Sequence, residues 1–280
     1  PKSQFFNVDT DSEIAFGCEN LGLPEQEIRH RVKRTVRELQ LESLMGRSIF
    51  HLSGGEKQKI ACGSVNALYP EVMVLDEPSS NLDAAAIQDL RRTLMFWKKR
   101  GKTILIAEHR LFYLTDIADR ILYLKNGKII KEFTRQEFKK LSEEERHKMG
   151  LRSLSLENLD YSSADSAGLQ ETMLLKDFCF SYRTGLVALH ISNATIPKGE
   201  IIAVTGLNGA GKSTFARCMC GLEKRCGILE IKGRVLNWKK RLKYCYMVMQ
   251  DTGHQLFTES VLDEILLSME IEDEEEALKV

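Results

Sequence analysis

The sequence predicts an α/β fold with a mostly parallel sheet and added antiparallel β elements. Three observations carry that expectation. Short apolar runs of strand length, Val72–Leu75, Thr103–Ala107 and Ile201–Leu207, alternate with segments of helical periodicity. A glycine loop followed by a helix pattern, Gly206–Ser213, stands at the end of one of those runs. Asn126-Gly127 separates two short β patterns, the signal of a type I′ hairpin.

The elements follow in chain order. Pro24 opens a helix with Ile28, Val32, Val36 and Leu39 along one face. A second helix starts at the Leu52-Ser-Gly-Gly turn and runs to about Leu68. Val72–Leu75 reads as a buried strand, residues 84–99 as a helix and Thr103–Ala107 as another buried strand. Ile121–Leu124 and Lys128–Lys131 flank the hairpin turn. From residue 134 to about 170 the character changes. A charged helical stretch, 135–148, gives way to a Ser- and Asp-bearing tail with little apolar content, which reads as a linker. Strand patterns resume over Met173–Tyr182. Pro197-Lys-Gly-Glu200 then turns the chain into a strand, Ile201–Thr205, followed by the glycine loop and a helix over 211–220. Tyr244–Met249 is a further strand pattern. One echo joins the two ends: Gln4-Phe5-Phe6 and Glu13-Ile14 match Gln255-Leu256-Phe257 and Glu264-Ile265 at a constant offset.

Composition narrows the function classes. The chain has 280 residues and is 43% apolar, enough for one large domain or two small ones. Lys plus Arg equals Asp plus Glu at 40 each, which argues against a general nucleic-acid binder. The seven cysteines form no CxxC pair, and Cys218-x-Cys220 is too close for the usual zinc spacing, so they read as reduced thiols of a cytosolic protein. No apolar run approaches the ~20 residues of a membrane-spanning helix. No signal peptide is visible, and both ends read as cut.

The chemistry-bearing residues fall into two groups. Gly206-Leu-Asn208-Gly209-Ala210-Gly211-Lys212-Ser213 is a full G-x4-GK-S loop between a strand pattern and a helix. Its glycines let backbone N–H groups, with those of Ser213 and Thr214, turn toward phosphate oxygens at a helix N-terminus. Lys212 suits the β- and γ-phosphates, and the Ser213 hydroxyl suits Mg²⁺. Earlier in the chain, Met73-Val-Leu-Asp76-Glu77-Pro78 is an apolar strand delivering two carboxylates at its end. Asp76 can hold a metal through water, and Glu77 can polarise an attacking water. Taken alone, such a run is as readily a strand meeting solvent. Upstream, Leu52-Ser53-Gly54-Gly55-Glu56 puts small residues at a helix start, where N–H groups are open to an anion or simply capped by serine.

This arrangement closely resembles the signature motif and Walker B of ABC ATPases. Ser79-Ser-Asn-Leu-Asp83 matches the family's D-loop, His109 its switch histidine and Gln250 its Q-loop glutamine, which touches the metal and a transmembrane partner. Tyr182 lies where the family keeps an aromatic that stacks on adenine; core packing or plain exposure is the alternative for it. Asp11-Ser-Glu-Ile-Ala-Phe-Gly17, Ala107-Glu-His-Arg110, Gln4 and Gln255 resemble the energy-coupling-factor group, whose members drive uptake of vitamins and metal ions. The resemblance implies a P-loop NTPase fold and Mg-ATP as cofactor. It implies a head-to-tail second ABC domain or subunit as one partner and a transmembrane importer scaffold as the other, at the cytoplasmic face of the cell membrane. No nucleic-acid partner is expected. Nucleotide binding would close paired domains and hydrolysis reopen them. Phe5, Phe6, Leu256 and Phe257 are then either core or part of the docking surface.

The motif order departs from a single ABC domain, because signature, Walker B and histidine precede Walker A and the Q-loop. Residues 1–133 read as the C-terminal part of one ABC domain, 134–170 as a linker and 171–280 as the N-terminal part of a second. In a tandem protein Lys212 and Ser53 would face each other across one ATP, with Glu77 and His109 at the other site. For the isolated chain the halves, in permuted order, are expected to pack as one domain with Lys212 and Glu77 at one nucleotide. The rival readings are a tandem ABC ATPase acting on ribosomes or DNA, and a nucleotide-binding fragment without turnover.

Overall fold

Most helix starts in this chain are set by small polar residues, each accepting an orphan N–H of the first turn. The computed structural model describes residues 4–154, 172–183, 185–250, 253, 255–269 and 273–279. They form two units, one holding the described residues up to 154 together with Leu207–Gly209, the other holding the remainder.

In the first unit, Asp9 caps helix α1 (Thr10–Asn20), Pro24 precedes α2 (Glu25–Leu39) and Ser53 caps α3 (Gly54–Ala67). These helices close on Ile14, Cys18, Leu41, Leu44, Ile49 and Ile60, all essentially removed from water. The face predicted for α2, Ile28, Val32, Val36 and Leu39, packs against this cluster. Strands β1 (Val72–Asp76) and β2 (Thr103–Ala107) run parallel, in register from Val72 opposite Thr103 to Asp76 opposite Ala107. Helix α4 (Ala84–Lys99), capped by Asp83, covers one face of the pair. There Met73, Leu75, Ile104 and Ile106 meet Ile87, Leu90, Leu94 and Trp97. The alternate residues, Val72, Val74 and Leu105, are exposed, which corrects the expectation of buried strands: only one face of the pair is covered, and the two-residue strand period leaves the other open.

A polar knot ties α2, α3 and α4 together. The Trp97 indole N–H donates to Asn66 Oδ1 (2.8 Å), and Asn66 Nδ2 donates to Thr35 Oγ1 and Glu38 Oε2 (3.2 Å each). Strands β3 (Arg120–Lys125) and β4 (Lys128–Thr134) form the predicted hairpin. Asn126 (φ 50°) and Gly127 (φ 72°) both hold the left-handed region that a type I′ turn demands. The charged stretch 135–148 at the start of the predicted linker, expected to be helical, holds two helices. Helices α5 (Arg135–Lys140) and α6 (Glu143–Lys148) each begin with a capping box, and Phe138 packs edge-on against Phe133 at 5.7 Å. The rest of that predicted linker, residues 155–170, lies outside the described residues.

The second unit is built on an antiparallel sheet of β5 (Thr172–Ser181), β6 (Val187–Pro197), β7 (Ile228–Ile231) and β8 (Arg234–Leu236), in the order β6-β5-β7-β8. Leu175, Phe178, Leu189 and Leu229 pack beneath helix α7 (Lys212–Met219) with Cys218 and Cys226. The helix α8 (Trp238–Tyr244) contributes Arg241, whose buried guanidinium donates to the carbonyls of Leu236 (3.0 Å), Cys218 (3.2 Å) and Gly227 (2.6 Å). Burial lowers its pKa, and the carbonyls replace the water it loses. Helices α9 (Val261–Ser268) and α10 (Glu274–Ala277) end the unit.

Two expectations are corrected here. Ile201–Thr205 and Tyr244–Met249, read from sequence as strands, belong to no ladder, and the former was expected to be buried. Ile201 (102%), Tyr246 (88%) and Val248 (84%) stand in solvent. A strand exists only against a neighbour, and every ladder of this unit is antiparallel and already made by other residues. Parallel pairing is therefore confined, among the described residues, to β1 and β2. Also among them, no helix is long and apolar enough to cross a membrane. All seven cysteines are free thiols, and burial pushes that of Cys62 up to about 12.

Candidate functional site: a phosphate loop and an acidic strand end

The phosphate loop leads into α7 of the second unit. Gly211 closes it at φ 90°, immediately before α7. Any Cβ there would lie 2.5 Å from the Ala188 carbonyl oxygen, so both the backbone angle and the space demand glycine. Asn208, Gly209 and Ala210 form the exposed turn, and Ser213 is exposed in the first turn of the helix. Lys212 Nζ donates to the Gly206 carbonyl at 2.7 Å, which folds the lysine back along its own loop. Thr214 is buried, and its hydroxyl shares a hydrogen bond with Tyr182 Oη at 2.9 Å. Tyr182 is thus tethered to the helix that follows the loop. Its ring packs edge-on against Phe180 and remains 42% exposed. Gln250, exposed, follows the unpaired segment 245–249.

The first unit carries the acidic strand end. Because β1 and β2 are parallel and in register, their C-terminal ends emerge side by side. Asp76 is exposed at the tip of β1. Glu77 follows at φ 42°, an angle unusual for a residue with a Cβ, held by its N–H donating to the Ala107 carbonyl (2.9 Å). His109, two residues past the end of β2, places Nε2 3.2 Å from Glu77 Oε1. The two residues predicted as catalytic from separate motifs therefore meet.

Ser53, Gly54 and Gly55 behave as a helix start. Ser53 Oγ accepts from the Glu56 N–H (3.3 Å), and Glu56 Oε2 accepts from the Ser53 N–H (2.7 Å), a complete capping box. Gly55 has a second reason to be glycine: its Cβ would stand 2.8 Å from the Cβ of Ala86 on α4. Asp83 caps α4 by accepting from the Ala86 N–H at 2.9 Å.

One residue of this group had no role assigned from sequence. Glu108 accepts from the His109 N–H (2.8 Å), the Arg110 N–H (3.0 Å), the Ser79 N–H (3.3 Å) and the Tyr113 hydroxyl (2.7 Å). Burial pushes its carboxyl up, but these hydrogen bonds, led by Arg110, outweigh burial and hold it below the ordinary value. Tyr113 is pushed up by its own burial and by that carboxylate. Glu108 thereby fixes the loop that presents His109. The available signal was a carboxylate beside the histidine at a strand end; three of its donors are close in sequence, and only the Ser79 N–H comes from a distant segment.

The residues present fit a nucleotide triphosphate and a hard divalent cation. A cradle that a Cβ would fill, a lysine and a hydroxyl at a helix start suit phosphate oxygens, and the Ser213 hydroxyl is an oxygen donor of the kind magnesium takes.

Comparisons with known proteins agree with this chemistry. Residues 189–280 match the family model described as ABC transporter. Two proteins of Treponema denticola described as ABC transporter ATP-binding proteins are similar to this chain, 46% identical over 276 residues and 39% over 275. Each alignment covers 96% of this chain and 56% of the relative. A protein of Pyrococcus horikoshii with the same description is 36% identical over 129 residues, 46% of this chain and 50% of its own length. The chain spans about half the length of the curated relatives it matches. With its phosphate loop, acidic strand end and these relatives, the chain has the P-loop ABC ATPase fold, and its residues 189–280 belong to the ABC transporter family.

Proposed function

We propose that this chain is part of an ATP-hydrolysing motor of a membrane importer for a micronutrient, a vitamin or metal ion, of the energy-coupling-factor type. One observation carries the ATPase reading: Gly206–Ser213 forms a glycine-closed cradle at the head of α7. Lys212 and the loop N–H groups would hold the β- and γ-phosphates, and Tyr182 would face the base. Ser213 and Gln250 would hold Mg²⁺, which when bound neutralises charge on the phosphates, and Asp76 would do the same for the nucleotide of its own ABC domain. Glu77 is the base that orients the attacking water, and His109, 3.2 Å from it, positions that carboxylate. Ser53, Gly54, Gly55 and Asp83 belong to the face that meets a nucleotide held by a second ABC domain.

The importer reading rests on the likeness of Asp11–Gly17, Ala107–Arg110, Gln4 and Gln255 to the energy-coupling-factor group. The domain reading assigns 1–133 to the end of one ABC domain and 171–280 to the start of another. Two observations support it: the motif order, and a relative that aligns half its length with under half of this chain. The partners are then a head-to-tail ABC domain and a transmembrane scaffold, at the cytoplasmic face of the membrane.

The test is Mg-ATP binding and phosphate release by the purified chain, with Lys212→Ala and Glu77→Gln beside it. Binding lost in Lys212→Ala, with turnover but not binding lost in Glu77→Gln, supports the motor. A chain indifferent to Mg-ATP removes it. Uptake of a radiolabelled vitamin or metal ion by vesicles containing the scaffold and the full-length protein tests the importer reading.

A further inference from the structure

The approach to Gln250 is held by two side chains that none of these roles uses. Gln255, half-buried, reaches back with both ends of its amide. Nε2 donates to the Met247 carbonyl (2.8 Å), and Oε1 accepts from the Met249 N–H (3.0 Å). Residues 245–249 join no ladder, so Gln255 supplies the partners that a neighbouring strand would supply elsewhere. The segment just after Gln255 is itself anchored. The N–H groups of Phe257 and Thr258 and the Thr258 hydroxyl all donate to one carboxylate oxygen, Glu264 Oε2, at 2.9 Å each. Glu264 projects from the first turn of α9, which Ser260 caps by accepting from the Asp263 N–H (3.1 Å). The backbone N–H groups on that carboxylate, Phe257 first, hold it below its ordinary pKa, so it is ionised at neutral pH.

The same construction occurs in the first unit. The N–H groups of Phe6 (3.0 Å) and Asn7 (2.9 Å) donate to Glu13 Oε2, and the Asn7 side chain adds a third bond at 3.3 Å. Glu13 lies in the first turn of α1, which Asp9 caps through the Ser12 N–H (2.9 Å). The sequence echo noted above is therefore an echo in geometry. Gln4 and Gln255, Phe6 and Phe257, Asp9 and Ser260, Glu13 and Glu264 hold corresponding places. A three-donor carboxylate clamp built twice, each in its own unit, is a designed element of the chain and not an accident of one loop.

The geometry points to Gln255 and Glu264 as positioning residues for Gln250. They form a two-step tether, from α9 through Phe257 and Thr258 to the Met247–Met249 backbone, that sets where the Gln250 amide stands relative to the bound metal. This rests on the reading of Gln250 as a metal-contacting residue.

The test uses the full chain as wild type, Gln255→Ala, Glu264→Gln and Gln250→Ala. Two quantities are read: hydrogen exchange at the Met249 amide without nucleotide, and the Mg²⁺ concentration for half-maximal binding of a fluorescent ATP analogue, beside metal-free binding of that analogue. Gln255→Ala is expected to speed Met249 exchange about tenfold or more, as a lost hydrogen bond does. It is also expected to raise the Mg²⁺ requirement about tenfold, in the direction of Gln250→Ala, with metal-free affinity within about twofold of wild type. Glu264→Gln gives the same pattern more weakly. Faster exchange with a wild-type Mg²⁺ requirement overturns the positioning role and leaves a merely structural bond. Should Gln255→Ala fail to fold, Glu264→Gln is judged by the same criteria. A wild type that binds no nucleotide sinks the ATPase reading and this tether together, whereas a normal wild type with unresponsive variants sinks the tether alone.

Discussion

Glu77 illustrates how much chemistry a single residue carries here. Its positive φ costs on the order of 1 kcal/mol, a strain typical of functional positions. The return is a carboxylate aimed at His109. Glu77→Gln keeps the shape and the backbone angle but removes the basicity. It is expected to retain Mg-ATP affinity while phosphate release falls by about 10²–10⁴-fold; a loss of binding in an equilibrium titration would contradict the role given to Glu77. Glu108 makes a prediction of a different kind. Its folded pKa lies below the ordinary 4.5. The stability it contributes is therefore fully present above about pH 4.5 and is lost as pH falls through the lower folded value. Replacing Glu108 with Gln should cost about 1–3 kcal/mol at neutral pH, because four donors lose their anionic acceptor. The difference from wild type should shrink as the pH is taken below 4.5, which urea titrations at several pH values would show. Residue identity and candidate chemistry were legible at this scale for Lys212, Asp76, Glu77 and His109, since each sits in a contiguous motif. Glu108 was not, because its donors converge only once the loop after β2 is bent around the carboxylate and the distant Ser79 N–H has come beside it.

Among the elements, helices were the most legible. Residues 84–99 were expected to be helical, and α4 spans Ala84–Lys99, because its cap, Asp83, and its apolar stripe are both local in sequence. The contact between α3 and α4 was not local. It depends on Gly55 admitting Ala86 and on Asn66 reaching the Trp97 indole. Asn66→Ala leaves that buried N–H without its acceptor and strips Thr35 and Glu38 of a donor. It should destabilise the first unit by about 1–3 kcal/mol, read from the midpoint of tryptophan fluorescence against urea; an unchanged midpoint would mean that water serves the indole equally well. In the second unit, Gly211→Ala faces both a positive φ and a 2.5 Å approach to the Ala188 carbonyl. Mg-ATP binding should fall below detection, with thermal stability lowered by about 1–3 kcal/mol. The same substitution at Gly127, where a Cβ meets nothing within 4 Å, should cost less and leave binding alone.

For the whole molecule, the informative feature is apolar surface left open in each unit. Val72, Val74 and Leu105 line the uncovered face of β1 and β2, and Ile201, Val204, Tyr246 and Val248 stand in solvent in the second unit. Exposed strands and strand-forming segments of this kind promote association. The chain should bind a hydrophobic dye and self-associate with rising concentration, and Val74→Lys combined with Val248→Lys should reduce both in sedimentation velocity without changing the helix content. A monodisperse, dye-silent wild type would contradict this. The sequence by itself determined which chemical groups are present and in what local setting, a phosphate loop before a helix, two carboxylates at a strand end and a capped glycine pair. Those settings depend on neighbours a few residues away. Only the tertiary structure decided which apolar runs became strands, since a strand requires a partner that its own residues cannot supply, and Val72–Asp76 found one where Ile201–Thr205 and Tyr244–Met249 did not. It also decided that Glu77 meets His109, because only parallel, in-register pairing brings the ends of β1 and β2 to the same place.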